Sequence, residues 1–214
     1  TIMLSQYPST RRHLEALAAK TLPISPHYIT LGNGASEIIS QLLGYINEPW
    51  EINCPYFLEY RRANPSDLIE VLNHGYSIKH HVILVNPNNP TGELLDLETV
   101  LTLASQLRQN GKYLIYDESF ADFSDLPASL LDEKILEEYP NILVIKSFGK
   151  TYGCPGVRLG AMVTANQALR DAITESLPIW NISTPAEVLM DLLPRYKTEY
   201  KQALETIRIA RNHF

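Results

Sequence analysis

The sequence predicts an α/β fold, a mostly parallel sheet covered by helices. Short runs rich in Val, Ile and Leu alternate along the chain with segments of helical periodicity, the pattern that crossover connections between parallel strands produce. With 214 residues, 45% of them hydrophobic, the chain is also long enough to bury one full core.

The elements follow in order. Helical periodicity marks 11–20 (RRHLEALAAK) and 35–46 (ASEIISQLLGYI), and 51–55 (EINCP) is a short apolar stretch closed by proline. A strand is expected at 81–86 (HVILVN), then a helix over 96–111 (DLETVLTLASQLRQNG) ended by glycine. Further strands are expected at 112–117 (KYLIYD), 141–147 (NILVIKS) and 156–163 (GVRLGAMV). From about 166 onward the pattern is helical with prolines, and there is no internal repeat and no low-complexity linker.

Composition narrows the function classes. A formal charge of -6 with 18 basic residues leaves no strongly basic surface, which argues against nucleic acid as a partner. The pairs Arg11-Arg12 and Arg61-Arg62 read as solvated helix faces. Two cysteines, Cys54 and Cys154, each beside a proline, suggest neither a disulfide framework nor a zinc site; no metal is expected, and a reducing, cytoplasmic compartment is. No apolar run approaches the roughly 18 residues of a membrane span, and no signal peptide opens the chain. The first residue is Thr1 rather than methionine, so the chain reads as a fragment or as the ordered part of something longer.

In an open α/β sheet the ligand site lies beyond the carboxyl ends of the strands. Here those ends are polar: HVILVN runs into NPNNPTG (86–92), KYLIYD ends on Asp117, and NILVIKS leads to Ser147 and Lys150. Before the helix at 35–46 stands GNGAS (32–36), a glycine-rich turn that offers backbone N–H groups and a positive helix end to an anion. Taken singly, each has a plain explanation: a chain reversal, a rigid proline loop, a helix cap, a surface lysine. Together they bring an anion cradle, an asparagine, a carboxylate, a lysine and an arginine, Arg158, to one sheet edge.

The set GNGASE, NPNNPTG, YDESFADF and SFGKTYGCPGVRLG resembles the class I/II aminotransferases, pyridoxal phosphate enzymes of the aspartate aminotransferase fold, with motifs spread from about residue 5 to about 185. Within them it is most similar to the branch holding histidinol-phosphate aminotransferase and threonine-phosphate decarboxylase. PYFLEYRRA (55–63) and the proline of CPGVRLG are similar to the decarboxylase side. LPIWNISTPAE (177–187) resembles aminotransferase-like domains sometimes fused to a nucleotidyltransferase domain, so such a fusion is one implied partner. The resemblance implies a three-layer α/β/α large domain over 1–185, with 186–214 a helix leading into an incomplete C-terminal small domain.

It also implies pyridoxal 5'-phosphate as cofactor and assigns residues to it. Lys150 matches the Schiff-base lysine, whose amine condenses with the cofactor aldehyde and then moves the α-proton. Asp117 would keep the ring nitrogen protonated, and Asn89 would donate to the 3'-oxygen. Arg158, Ser147 and the backbone at Ala35 and Ser36 would hold the phosphate. Phe57 would stack on the ring, with Tyr56 the alternative one position earlier. Tyr7 resembles the tyrosine that reaches the other subunit's phosphate, so a homodimer is implied.

Three departures from the family pattern stand out. Phe120 replaces a tyrosine that relatives carry three residues after the aspartate, and Gly149 replaces a serine before the lysine. The third is length: relatives of this family are longer, the sequence stops at RIARNHF inside what should be the helix leading to the small domain, and the interval from Tyr60 to Asn86 also reads as short by a strand and its loop. The first reading is transamination of a small amino acid or amine bearing phosphate or phosphonate. Decarboxylation of a phosphorylated amino acid is the second. A non-catalytic cofactor-binding or dimerisation module is the reading from another class.

Overall fold

The computed structural model describes residues 5–213. Seven strands form one sheet in the order β1-β7-β6-β5-β4-β2-β3. They are β1 (Ile29–Asn33), β2 (Trp50–Asn53), β3 (Leu68–Val71), β4 (His81–Val85), β5 (Leu114–Asp117), β6 (Ile142–Ser147) and β7 (Leu159–Val163). Only β7 runs against its neighbours, pairing antiparallel with both β1 and β6. The carboxyl ends of the other six strands therefore lie along one edge.

Nine helices cover the sheet among the described residues: α1 (Arg11–Ala18), α2 (Ala35–Tyr45), α3 (Glu59–Ala63), α4 (Leu97–Gln109), α5 (Glu133–Glu138), α6 (Phe148–Thr151), α7 (Gln167–Ser176), α8 (Thr184–Leu192) and α9 (Lys197–Arg211). Strand side chains alternate between two cores, as a period of two requires. Val82, Leu84, Leu114, Tyr116 and Val144 face Leu14, Val100, Ala104, Leu107, Leu136 and Met190 of α1, α4, α5 and α8. Ile83, Val85, Ile115, Leu143 and Ile145 face Ile38, Leu42, Tyr60, Leu169 and Ile173 of α2, α3 and α7. Starts of helices are fixed by local acceptors: Asp96 accepts from Thr99 N–H, Asp132 from Lys134 and Ile135 N–H, Asn166 from Leu169 N–H and Ser183 from Ala186 N–H. None of the described helices is long and apolar enough to cross a membrane.

Several expected boundaries move. The apolar stretch at 51–55 belongs to β2, which starts at Trp50 and ends at Asn53 before Cys54-Pro55, and β5 starts at Leu114. The strand expected over 156–163 begins at Leu159, because Pro155–Val157 form a 3-10 turn and Arg158 is left-handed at φ 56°. β1 was not anticipated. Neither was β3, so the expectation that a strand is missing between Tyr60 and Asn86 is corrected: β3 pairs parallel with β2, Trp50 opposite Leu68 through Asn53 opposite Val71.

What is short is the connection from β3 to β4, residues 72–80. Three non-glycine residues in it, Asn73, His74 and Ile78, adopt left-handed backbone at φ 53°, 53° and 55°, the cost of turning tightly from an edge strand over its neighbour. Side chains of β2 hold that turn. Asn53 Oδ1 accepts from His74 N–H at 2.9 Å, and Glu51 Oε2 accepts from Ser77 N–H at 2.7 Å.

At the opposite end of the sheet, His81 opens β4 with its ring between Trp50 and Tyr113. Its Nδ1 accepts from Tyr113 N–H at 2.9 Å, which leaves the proton on Nε2, 3.2 Å from Glu48. Burial lowers its proton affinity, more than Glu48 restores it. A buried neutral histidine must charge on unfolding in acid, so the unfolded chain binds the extra proton first. The stability His81 contributes is therefore complete above its ordinary value of 6.5 and is lost as pH falls below it. Thermal unfolding of wild type and His81→Gln across this range should converge toward acid pH; a gap that stays constant with pH would contradict the assignment.

Candidate active site

The carboxyl edge of the sheet presents, in spatial order, the β1–α2 turn, the end of β6 with α6, the end of β5, and the loop after β4. Asp117 ends β5 and sits beside Val85 and Ile145 in register. The residue is 4% exposed. Oδ2 accepts from Tyr60 O–H at 2.8 Å and Oδ1 from Ser119 N–H at 3.0 Å. Burial raises its proton affinity, opposed by those donors and by the more distant charge of Lys146. The sequence pattern suggested a carboxylate facing a lysine and an arginine; its direct partners are instead a phenol and a backbone N–H.

Asn86, first of NPNNPTG, is buried and clamps the loop: Nδ2 donates to Leu95 O at 2.9 Å and Tyr116 Oη at 3.0 Å, while Oδ1 accepts from Leu95 N–H. Asn88 Nδ2 donates to Pro55 O at 3.0 Å, tying the loop to the turn that carries Phe57. With both neighbours committed, the Asn89 amide makes no hydrogen bond among the described residues. Phe57 is half-buried, its ring edge-on to Tyr60 with centroids 6.3 Å apart. Tyr56, the alternative for the stacking position, is instead bound outward: it donates to Glu70 at 2.6 Å and accepts from Arg61 Nε at 3.2 Å.

β6 delivers two lysines with different fates. Lys146 is buried and reaches Asp122 at 2.8 Å and Glu118 at 3.3 Å. Burial pulls its proton affinity down, but the two carboxylates outweigh that and keep it charged. Asp122 also accepts from Thr151 Oγ1 at 3.0 Å, which pins the single turn of α6. On that turn Lys150 is exposed and unpaired, its Nζ 5.7 Å above the centre of the Phe120 ring. A cavity of about 490 Å³ opens next to Phe120 and Asn89, between the 87–92 loop and the 120–126 segment.

Beside Ser147 the backbones close up. Ser147 pairs with Gly160, and Gly160 with Gly32. A Cβ on Gly160 would lie 2.4 Å from Ala35 N, and one on Gly32 would lie 2.5 Å from Ile38 Cγ1, so the first turn of α2 can approach only because both are glycine. Gly34, at φ 78°, lies directly under the Arg158 guanidinium, whose Nη2 would be 2.5 Å from a Cβ there. Arg158 has no carboxylate within ion-pair distance among the described residues, and the side chain of Ser147 makes no hydrogen bond there. Glu37 caps Asn33 N–H at 2.7 Å and is steadied by Asn181 Nδ2 at 2.8 Å. Ala35 and Ser36, as expected, form the first helical turn.

Gly149 is also closely approached by backbone. A Cβ there would meet Pro155 Cα at 3.0 Å, so the serine that relatives carry would need the Pro155 backbone to give way. Tyr7 lies apart from all these groups. It is 75% exposed and stacks on Trp180 with centroids 4.1 Å apart. Its segment is pinned by Ser9 N–H to Glu187 at 3.0 Å and Thr184 Oγ1 to Gln6 O at 3.2 Å. Tyr60, Lys146 and Asp122 were missed in the sequence. Tyr60 lay within PYFLEYRRA, but nothing in its spacing pointed at Asp117, which is 57 residues away.

These groups fit a phosphate-bearing pyridine aldehyde: a guanidinium and free N–H groups for an anion, a buried carboxylate for a cationic ring nitrogen, and an amine on a pinned turn. The profile of "Aminotransferase class I and II" matches residues 55–209, and the chain belongs to that family. The cofactor is pyridoxal 5'-phosphate. The chain is 30% identical over 96% of its length, and 35% of the relative's, to CMP-5'-(3-aminopropyl)phosphonate synthase of Streptomyces rubellomurinus. It is 31% identical to L-serine phosphate decarboxylase of Sulfurospirillum multivorans, over 95% of this chain and 58% of that protein. The fold matches histidinol-phosphate aminotransferase from Sinorhizobium meliloti in complex with pyridoxal-5'-phosphate, with a TM-score of 0.80 at 20% identity, covering 96% of this chain and 60% of that one. The chain thus spans from about a third to three fifths of the length of these proteins.

Gly160→Ala should destabilise the fold by about 1–3 kcal/mol, since its Cβ meets backbone that cannot rotate away. Gly44→Ala, at an exposed position in α2 with open space around it, should instead stabilise by about 0.5–1 kcal/mol. Denaturant unfolding of the two variants checks this; similar small effects at both positions would show that the α2 approach is not tight.

Proposed function

We propose that this chain carries the cofactor site of an enzyme acting at the amine-bearing carbon of a small amino acid with a phosphate or phosphonate group. The observation that carries the reading is the single sheet edge on which the side chains of Asn89, Ser147, Lys150 and Arg158 make no hydrogen bond or ion pair among the described residues, beside the buried Asp117. Arg158, Ser147 and the N–H groups of Ala35 and Ser36 hold the cofactor phosphate. Phe57 covers one ring face, Asn89 donates to the 3'-oxygen, and Asp117 pairs with the ring nitrogen. Phe120 has no O–H to share the task of Asn89, and Gly149 has no hydroxyl to share that of Ser147.

When bound, the cofactor supplies an electron sink for the pair released by breaking a bond to the α-carbon. Lys150 is the amine that would hold the cofactor through its aldehyde carbon, the carbonyl oxygen leaving as water, and that would otherwise take or return the proton at the reacting carbon. The pinned α6 turn aims it.

The sequence pattern placed transamination first. The names of the two relatives favour decarboxylation, since one acts on a phosphorylated amino acid and the other's product carries an aminoalkylphosphonate. We therefore put first the loss of the α-carboxylate as CO₂, the bond electrons staying with the carbon until Lys150 returns a proton. Transamination is the second reading, supported by the family itself. A purely structural module is disfavoured by the cost of burying Asp117. A homodimer is part of the proposal: Tyr7 projects from a pinned segment with Ile179 and Trp180 exposed beside it, suited to reach a second copy's phosphate.

Purified protein with pyridoxal 5'-phosphate should develop a visible absorbance band that Lys150→Ala lacks, and Arg158→Ala should weaken cofactor binding at least about tenfold. Carbon dioxide release from O-phospho-L-serine or O-phospho-L-threonine supports decarboxylation. Loss of the band with L-glutamate, without carbon dioxide, supports transamination. A wild-type protein that forms no band refutes both.

A further inference from the structure

We infer that Tyr60 is a positioning residue for Asp117: its phenol fixes the rotation of the carboxylate by a hydrogen bond to one oxygen, so that the carboxylate would be oriented for the cofactor's ring nitrogen. The inference rests on the cofactor reading above. It starts from geometry. Tyr60 is fully buried, and its O–H donates to Asp117 Oδ2 at 2.8 Å. Ser119 N–H takes Oδ1 at 3.0 Å, so the carboxylate is gripped at both oxygens and cannot rotate without breaking one bond.

α3 explains how a phenol reaches this point. Phe57 precedes the five-residue α3 and accepts Tyr60 N–H at its carbonyl at 3.2 Å, which fixes the two residues relative to one another at the start of the helix. One short element therefore delivers the ring-stacking side chain and the orienting phenol, and their edge-to-face contact locks them together. Asn88 ties the 86–92 loop to the same turn through Pro55 O. A shift of α3 would displace Phe57, Tyr60 and the Asn89 loop together.

Chemistry sets the direction of the effect. Burial and the neighbouring carboxylate hold the Tyr60 phenol far above its usual value, so it remains a neutral donor at every working pH. A donor to the ionised form lowers the proton affinity of a carboxyl group, against the rise that burial causes. The other groups acting on Asp117 are Ser119, by backbone and side chain, and the Lys146 charge from β6. Lys146 is already committed to Glu118 and Asp122. Tyr60 is thus a neutral side chain whose removal raises the Asp117 proton affinity without touching another charge, while both Ser119 contacts stay in place.

The test compares wild type, Tyr60→Phe, Asp117→Asn and the double variant by titration with pyridoxal 5'-phosphate between about pH 5 and about pH 9. Tyr60→Phe should bind about tenfold more weakly, the loss expected for a hydrogen bond to a buried charge. The acid-side loss of its binding should move to higher pH. In the Asp117→Asn background, removing the phenol should change affinity by less than about twofold, because Tyr60 acts through the charge. That background has no buried charge to leave stranded, so this comparison decides even where Tyr60→Phe alone does not fold. Infrared spectra of cofactor-free protein add a readout independent of the ligand: the protonated carboxyl band of Asp117 should appear at higher pH in Tyr60→Phe. Unchanged affinity and an unchanged carboxyl titration overturn the inference, as does an equal loss in both backgrounds, which marks a structural role. If wild type binds no cofactor while the carboxyl titration still shifts, the cofactor reading fails and the coupling of Tyr60 to Asp117 stands.

Discussion

The close approach of β7 to the start of α2 is the constraint on which the site depends. Gly160 lies against the backbone of Gly34 and Ala35, opposite Gly32. Because β7 is antiparallel to β6, the chain leaves the sheet at Ser147 and returns at Leu159 beside its point of departure. The excursion between them carries both Lys150 and Arg158. With side chains at the three glycines, α2 would stand off, and its free N–H groups would no longer lie beside the end of β6 and the arginine. The anion cradle is therefore a product of sheet topology and absent Cβ atoms more than of any one polar residue.

The two lysines around β6 differ in their commitments. Lys146 is buried among carboxylates, and breaking such a buried pair typically costs about 3–5 kcal/mol. Its partner Asp122 also holds Thr151, so the same charge cluster that stabilises the strand end fixes the turn next to it. Lys150 carries no part of that load and keeps its amine free. Tyr152, two residues on, packs its ring 4.7 Å from Tyr200 of α9, so the turn is braced from the C-terminal side as well.

Much of this was legible in the sequence, and the exceptions have physical reasons. β4 and β6 are buried on both faces and read as Val, Ile and Leu runs. β1 is equally buried, but its ITLGN includes threonine and glycine, and its glycine serves the α2 approach rather than the strand. β3 is an edge strand with only Leu68 buried, so half of its residues look like loop. The polar strand ends were visible because each is adjacent to an apolar run. Tyr60 and Asp122 were not, because their roles depend on partners far along the chain that no local spacing encodes.

Asp117 shows why the edge is arranged as it is. A fully desolvated carboxylate is unfavourable, and here its two hydrogen-bond donors are neutral. They orient it and offset part of the desolvation, but its proton affinity remains raised. A cationic ring nitrogen on the remaining side would supply the missing opposite charge in a low-dielectric site, where attraction is strongest. The fold thus holds the carboxylate in a state that is costly alone and favourable with a cation. The same burial that destabilises the free protein would strengthen such a pairing, at the end of a strand held on both sides by its neighbours.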